Sequence, residues 1–322
     1  KSKRALIYGL KTKQGEMFTY GEKTKRVNDS TIYVRNIRFT TSEKKIPDYY
    51  ILELSSFQLM ILKNMHSFAA VILNVTPDHL DWHQTFEEYK QAKMNIYQNC
   101  QYPLDLQAMQ FSLNAQKTVI LYRQNKFIAT ASLPFLGEAY YQNVIIAFEL
   151  ATLMGVTLEN LEKRVKTFKG LPYRCELIAS AQGVSWYNDS KATNIGACIA
   201  AVSALKEKHS GKLILMLSGL TKGVDLNPLK LAISDKIDYL VLVGKAAWHF
   251  TALFESIESA SVGSLVEAVS LAGNIAKQDD VVLFSPAGAS FDMFESYQER
   301  GRAFSTAVKE LLCLGTKDKI SI

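Results

Sequence analysis

The chain has 322 residues, of which 48% are apolar and 21% charged, and it carries a formal charge of +6. That length exceeds one ordinary core and predicts two domains in a soluble, globular composition. No apolar stretch approaches the roughly 18 residues that span a bilayer. The four cysteines, Cys100, Cys175, Cys198 and Cys313, form no CxxC pair, which excludes a disulfide frame or zinc knuckle and predicts reduced thiols in a cytoplasm.

Charge is uneven along the chain. Lys1 to Lys45 holds twelve Lys/Arg against four Asp/Glu, a local +8, so the remainder is close to −2. A basic head can bind nucleic acid or a membrane surface. A solvated segment is the simpler expectation, with no nucleic-acid partner and no membrane insertion. Within it, Ala5–Tyr8, Met17–Tyr20 and Thr31–Val34 are short apolar stretches separated by Gly9, Gly15, Gly21 and Asn28-Asp29, a pattern of small strands and turns. Residues 1–48 stay unassigned.

From Tyr49 the texture changes. Tyr49–Leu52 and Ala69–Leu73 are continuous apolar runs of strand length, which predicts central parallel strands covered on both faces. Phe86–Tyr97 and Val144–Met154 have helical spacing, the latter stopping at Gly155. Pro172 precedes a second block. There Val184–Tyr187, Leu213–Leu217, Tyr239–Val243 and Val281–Phe284 are strand runs, and Ile195–Leu205 reads as a helix whose exit Gly211 marks. Strands alternating with helices predict parallel α/β sheets. The expected class is α/β with two parallel-sheet domains: residues 49–172 as an incomplete ATPase-type domain, and 173–322 as a Rossmann-like domain.

Ligands of open parallel sheets sit beyond the carboxyl ends of the strands. Glu53 closes the first apolar run, and Asp78, His79, Asp81 and His83 cluster just past the second. A Glu inside an apolar run is costly unless it is paired or bound to metal. His79 and His83 are four apart and could bind zinc, but that spacing is weak on its own. With Glu53 and Asp78 nearby, magnesium suits the carboxylate oxygens better. Arg174, Lys191, Lys222 and the Asp, Ser, Thr and Asn of Tyr187–Asn194 also read as ion pairs, helix caps or surface turns when taken singly.

Taken together, these segments resemble the Mur ligases. The resemblance rests on "ILELSSFQL" (Ile51–Leu59), "ILNVTPDHLD" (Ile72–Asp81) and "YKQAKMNIY" (Tyr89–Tyr97), in order and well spaced. It continues through "LPYRCE" (Leu171–Glu176), "YNDSKATN" (Tyr187–Asn194), "SGLTKGVDL" (Ser218–Leu226) and "LFSPAGASFDMFESYQERG" (Leu283–Gly301). The Ser-Pro-Ala-Gly-Ala-Ser form points to the branch that adds D-glutamate. The resemblance implies an ATP-dependent, ADP-forming amide ligase of peptidoglycan and cell-wall synthesis, serving cell shape and division. Its substrates would be UDP-N-acetylmuramoyl-L-alanine and D-glutamate, and the expected state is a cytoplasmic monomer. Glu53 and His79 would help hold magnesium. Lys93 would be carbamylated, so that an anion replaces a cation that would repel the metal. Arg174 would reach the nucleotide phosphates, Asp189 the ATP ribose, and Lys191 would lie at the active site. Thr193, Lys222, Ser290 and the Phe291 backbone would bind D-glutamate, with Tyr297 on the pocket wall.

The resemblance covers roughly Tyr49 to Leu312, and three features depart from it. No Gly-x-x-Gly-Lys-Thr/Ser phosphate loop precedes Glu53, since none of Gly9, Gly15 and Gly21 is followed by Lys-Ser/Thr. No amino-terminal uridine-nucleotide domain is recognisable. Where the family has Gly-x-His-Asn-x-x-Asn for adenine, Gly137–Asn143 keeps only Asn143 of the three polar contacts, with Tyr140 as a conceivable stacking partner. These residues alone are therefore expected to bind ATP poorly and turn over little. A processed or truncated protein, consistent with an opening on Lys1 rather than Met, is the favoured explanation. The competing readings are a degenerate, non-catalytic relative, a sister ligase acting on folate, and a zinc hydrolase using His79 and His83.

Overall fold

The computed structural model describes residues 5–8, 25–27, 30–32, 49, 51–62, 65–73, 75–76, 79–106, 109, 111–116, 118–122, 125–130, 133, 137–220, 224–244 and 247–317. The expected strand at Met17–Tyr20, together with Asp78 and Lys222, lies outside them. The chain divides into two compact units, residues 2–110 and 111–322.

In the first unit, in chain order, come β1 (Ala5–Tyr8), β2 (Lys25–Val27), β3 (Ser30–Ile32), β4 (Ile51–Leu54), α1 (Ser56–Ile61) and β5 (Ala69–Val71). They are followed by α2 (Leu80–His83), α3 (Phe86–Met94), a 3-10 turn at Asn95–Tyr97 and β6 (Tyr102–Leu104). The main sheet has the order β4-β1-β5-β6. β1 runs antiparallel to both β4 and β5, while β5 and β6 are parallel. This corrects one expectation. β5 is buried along its whole length, as a central strand should be, but β4 is an edge strand and leaves Ile51 62% exposed. Its apolar composition shows that it joins a sheet, not where in the sheet it lies.

α1 starts where it does because Ser55 forms a capping box. Its hydroxyl accepts from the Gln58 backbone N–H at 3.3 Å, and its own N–H donates to Gln58 Oε1 at 2.8 Å. Removing that hydroxyl leaves a helix N–H without its cap. Ser55→Ala is expected to cost about 1 kcal/mol, read as a lower urea midpoint with an unchanged m-value.

The second unit opens with β7 (Phe111–Leu113), β8 (Val119–Tyr122) and β9 (Asn125–Ala129), an antiparallel three-stranded sheet. Helices α4 (Glu138–Leu153) and α5 (Leu158–Thr167) follow. Then come β10 (Glu176–Ala181), β11 (Val184–Asn188), α6 (Ile195–Lys208), β12 (Leu213–Ser218), α7 (Asn227–Ile233), β13 (Tyr239–Val243) and α8 (Ala247–Leu253). The chain finishes with β14 (Ser259–Val262), α9 (Leu265–Ile275), β15 (Val281–Ala287) and α10 (Tyr297–Lys317). The six-stranded sheet has the order β10-β11-β15-β12-β13-β14, parallel throughout except for the antiparallel edge strand β10.

β12 and β15 are buried at every position, and the sheet carries a core on each face. One face packs Leu215, Leu217 and Leu283 against Cys198, Val202 and Phe250. The other packs Ile214, Met216 and Phe284 against Val269, Phe304 and Val308. That double covering is why the strands read as unbroken apolar runs. Among the described residues, no helix is long and apolar enough to cross a membrane.

Candidate functional site

In the first unit, two of the residues expected around the ion, His79 and Lys93, lie against aromatic rings. His79 takes a left-handed backbone (φ 56°) at the start of α2, uncommon for a non-glycine residue though less so for His than for most. Its ring meets the edge of Phe57 from α1 at 5.0 Å. Phe57 also stacks on His83 at 5.5 Å and meets Trp82 at 5.6 Å. Tyr89 of α3 contacts His79 at 6.4 Å and His83 at 5.2 Å, and the Lys93 Nζ lies over the same Tyr89 ring at 5.0 Å. Lys93 is completely buried. His79 and Lys93 thus share Tyr89 as a neighbour. Glu53 is exposed on β4, four residues ahead of Phe57 on the strand that feeds α1.

His83 has another partner. Its Nε2 lies 2.9 Å from the buried Ser56 Oγ, and the residue is 2% exposed. That bond engages one of its two ring nitrogens. Among the described residues, no group of three or more His, Cys, Asp or Glu could hold a metal on its own. A cation that keeps water and phosphate among its ligands needs only one or two protein carboxylates, and Glu53 on β4 offers one such oxygen donor.

In the second unit, Asp189, Lys191 and Thr193 lie on the loop at the carboxyl end of β11, and Ser290 and Phe291 on the loop after β15. The turn after β11 begins with Asn188, whose Nδ2 donates to Gly301 O at 2.8 Å and to Ser305 Oγ at 2.9 Å. Its Oδ1 accepts from Ser190 N–H at 3.1 Å. Next, Asp189 donates its N–H to Phe284 O at 2.8 Å. Its carboxylate accepts from Ser285 Oγ at 2.7 Å and from Cys175 N–H at 3.0 Å. Burial pushes Asp189 up to about 7, against the pull of those two bonds and of Arg174 and Arg300.

Arg174 is exposed, between two residues with positive φ, Tyr173 (63°) and Cys175 (48°). Its charge acts on Asp189 and on Tyr140 of α4. Burial raises the Tyr140 phenol, Cys175 and Asp189 add to the rise, and Arg174 opposes it. Tyr140 therefore lies near the proposed ribose residue. Asn143 is exposed one helical turn further along α4.

Lys191 extends over the Tyr297 ring, with Nζ 3.8 Å from the centroid, and its N–H donates to Tyr173 O at 3.0 Å. Thr193 is buried just ahead of Asn194, which caps α6 by accepting from Ala197 N–H at 3.0 Å. Ser290 is buried and Phe291 exposed in the loop after β15. Leu220, two residues before Lys222, pairs with Ala289 through two 3.0 Å backbone hydrogen bonds. The loop that leads to Lys222 is thereby stitched to the loop that carries Ser290.

Sequence reading missed Arg300. It lies on α10, 1% exposed, and touches both the turn after β11 and the loop after β15. A signal was available: Arg300, Phe304, Ala307 and Val308 form a buried stripe at helical spacing. A charge on an apolar stripe marks a paired, buried ion.

The profile of the Mur ligase middle domain matches residues 3–104, and that of the Mur ligase glutamate ligase domain matches residues 173–288. The chain belongs to the Mur ligase family. It is 36% identical over 295 residues to the UDP-N-acetylmuramoylalanine–D-glutamate ligase of Legionella pneumophila (strain Lens), with 82% of this chain and 66% of the relative covered. Identity to the ligase of the same name from Nitrosococcus oceani is 35% over 297 residues, covering 84% and 65%. The chain thus spans about two thirds of the length of these relatives. Among solved structures, the UDP-N-acetylmuramate-alanine ligase MurC of Thermotoga maritima superposes with a TM-score of 0.58 at 15% identity, over 80% of this chain and 62% of that one. E. coli FolC in complex with ADP gives 0.54 at 15% identity, over 77% and 62%. Both share the fold.

Proposed function

We propose that the protein is an ATP-dependent ligase that adds D-glutamate to UDP-N-acetylmuramoyl-L-alanine in cytoplasmic peptidoglycan synthesis. The observation that carries this reading is the set of loops after β11, β12 and β15. They bring Lys191, Thr193 and Ser290, with the approach to Lys222, to one edge of a parallel sheet beside Asp189 and Arg174. A doubly anionic amino acid needs several donors at once, and Lys222, Thr193 and Ser290 supply them.

The alanyl carboxylate is a poor electrophile, because attack would add charge to an anion. Transfer of the ATP γ-phosphoryl group to it gives an acyl phosphate and ADP. The D-glutamate amine then attacks the acyl carbon, phosphate leaves, and the new amide nitrogen loses a proton. Lys222, Thr193, Ser290 and the Phe291 backbone hold the two D-glutamate carboxylates, and Tyr297 walls the pocket. Asp189 orients the ribose, with Asn143 on the adenine side. Arg174 and Lys191 offset charge on the phosphates. Magnesium held by Glu53 and His79, with a carbamate on Lys93, would supply further neutralisation at the phosphates. A monomer suffices for this chemistry.

With magnesium and ATP, phosphate release is expected only when D-glutamate and UDP-N-acetylmuramoyl-L-alanine are both present. Equal turnover with L-glutamate would overturn the substrate assignment. Zinc-dependent hydrolysis without nucleotide would overturn the ligase reading itself.

A further inference from the structure

We propose that Arg300 is the positioning residue that sets the D-glutamate pocket by tying the loop after β11 to the loop after β15. The proposal rests on the D-glutamate reading given above. Arg300 Nε donates to Ser190 Oγ at 3.2 Å. Its Nη2 donates both to Ser190 O and to Gly288 O, each at 3.0 Å. Ser190 Oγ in turn donates to Tyr297 O at 2.8 Å. One guanidinium thus joins the neighbour of Lys191, the loop of Ser290 and the residue that begins α10. It also lies against the third loop, because a methyl group built on Gly219 would sit 2.9 Å from Nη1 and 2.2 Å from Ala289 O. Gly219 has φ +88°, so both its backbone and its crowding exclude a side chain.

The fork geometry is what does this. A planar guanidinium addresses two carbonyls and a hydroxyl in fixed directions, whereas an ammonium is a point charge on a flexible stem. Burying the cation is costly unless its hydrogen bonds are made, and here Nε and Nη2 bond to two loop carbonyls and the Ser190 hydroxyl, while Nη1 is buried without a hydrogen-bond partner among the described residues. The side chain therefore trades its burial for the placement of those loops. Asp189 is anchored separately, through Phe284 O, Ser285 and Cys175. Loss of the Arg300 fork should loosen the amino-acid pocket and leave the nucleotide contact in place.

The test compares Arg300→Lys, Arg300→Met and Ser190→Ala in the full protein. Arg300→Lys is expected to raise KM for D-glutamate at least about tenfold, with KM for ATP and for the nucleotide substrate changing by less than about twofold. Ser190→Ala should act in the same direction, and the double variant should fall short of the product of the two effects. An unchanged KM for D-glutamate overturns the proposal. So does a rise shared equally by all three substrates, which marks a general structural role. Amide exchange supplies a readout independent of turnover. Residues 190–194 and 287–291 should lose protection in Arg300→Lys and Arg300→Met while Asp189 and β13 keep theirs, and unaltered exchange there also overturns the proposal. A wild-type protein that ignores D-glutamate defeats the functional reading instead, and the exchange experiment still judges the loop anchor.

Discussion

Replacing Lys93 with alanine should lower kcat by about a thousandfold, with part of the activity restored by formate or acetate in the buffer. Lys93 is completely buried on α3, with its Nζ over the Tyr89 ring that also touches His79. An ammonium at this place would repel a magnesium ion held by Glu53 and His79. In the proposed mechanism, carbon dioxide adding to the neutral amine, with loss of a proton, would turn the same side chain into an anion. The alanine variant leaves a space into which a small carboxylate can bring the missing charge. Lys93→Met serves as the packing control, since it keeps volume and loses the chemistry. Both variants should melt close to the wild type. Full activity in Lys93→Ala would rule out the carbamate, and uniform loss of stability without rescue would reduce Lys93 to a packing residue.

The strands at the centre of the second unit were legible because they are covered on both faces. Leu213–Leu217 and Tyr239–Val243 are apolar at nearly every position, and both form strands of the parallel sheet. β10 was not legible. It lies at the edge, with Leu177 exposed and polar residues interspersed, so no run announces it. The same physics misled the reading of Tyr49–Leu52, where an apolar run turned out to be an edge strand beside an antiparallel β1. Helix starts fared better where a side chain caps them. Thr85 and Asn194 accept from backbone N–H groups three residues on, and α3 and α6 begin directly after them. α4 begins at Glu138, six residues before the expected Val144, because Gly137 at φ +91° supplies its entrance without a side-chain cap.

Several of the candidate segments were legible because they follow strands, as Asp189 and Ser290 do, where a parallel sheet exposes its carboxyl ends. What could not be read was the scaffolding between them. Ser56 with His83, Ser285 with Asp189, and Arg300 with Ser190 and Gly288 join residues 27, 96, 110 and 12 positions apart. Such pairs leave no periodic trace, and each partner alone reads as an ordinary polar residue. Family resemblance carried the residues that would meet substrate. It said nothing of those that hold them still.

Asp189→Asn should cut turnover by about a hundredfold or more and also remove a pH dependence from folding stability. The carboxyl is buried, and burial lifts it to about 7 from 3.8. The folded protein therefore keeps a proton that the unfolded chain has already released. The stabilising contribution of protonated Asp189 is complete below about pH 4, declines as pH rises towards 7, and is gone above that. A shift of about three units corresponds to at most about 4 kcal/mol over that window. Asparagine keeps one oxygen for the Cys175 N–H and turns its amide NH2, a donor, towards Ser285 Oγ, but it cannot ionise, so its stability should be flatter between pH 4 and 7. At pH 8 the variant should be at least as stable as the wild type, yet far slower, because it lacks the ionised acid that we propose orients a ribose hydroxyl. Denaturant midpoints measured from pH 4 to 8 decide the first part, and kcat/KM for ATP at pH 8 decides the second. Parallel pH profiles for the two proteins would place the titration elsewhere. An unimpaired kcat/KM would take Asp189 out of the nucleotide site, while its two hydrogen bonds would still account for its burial.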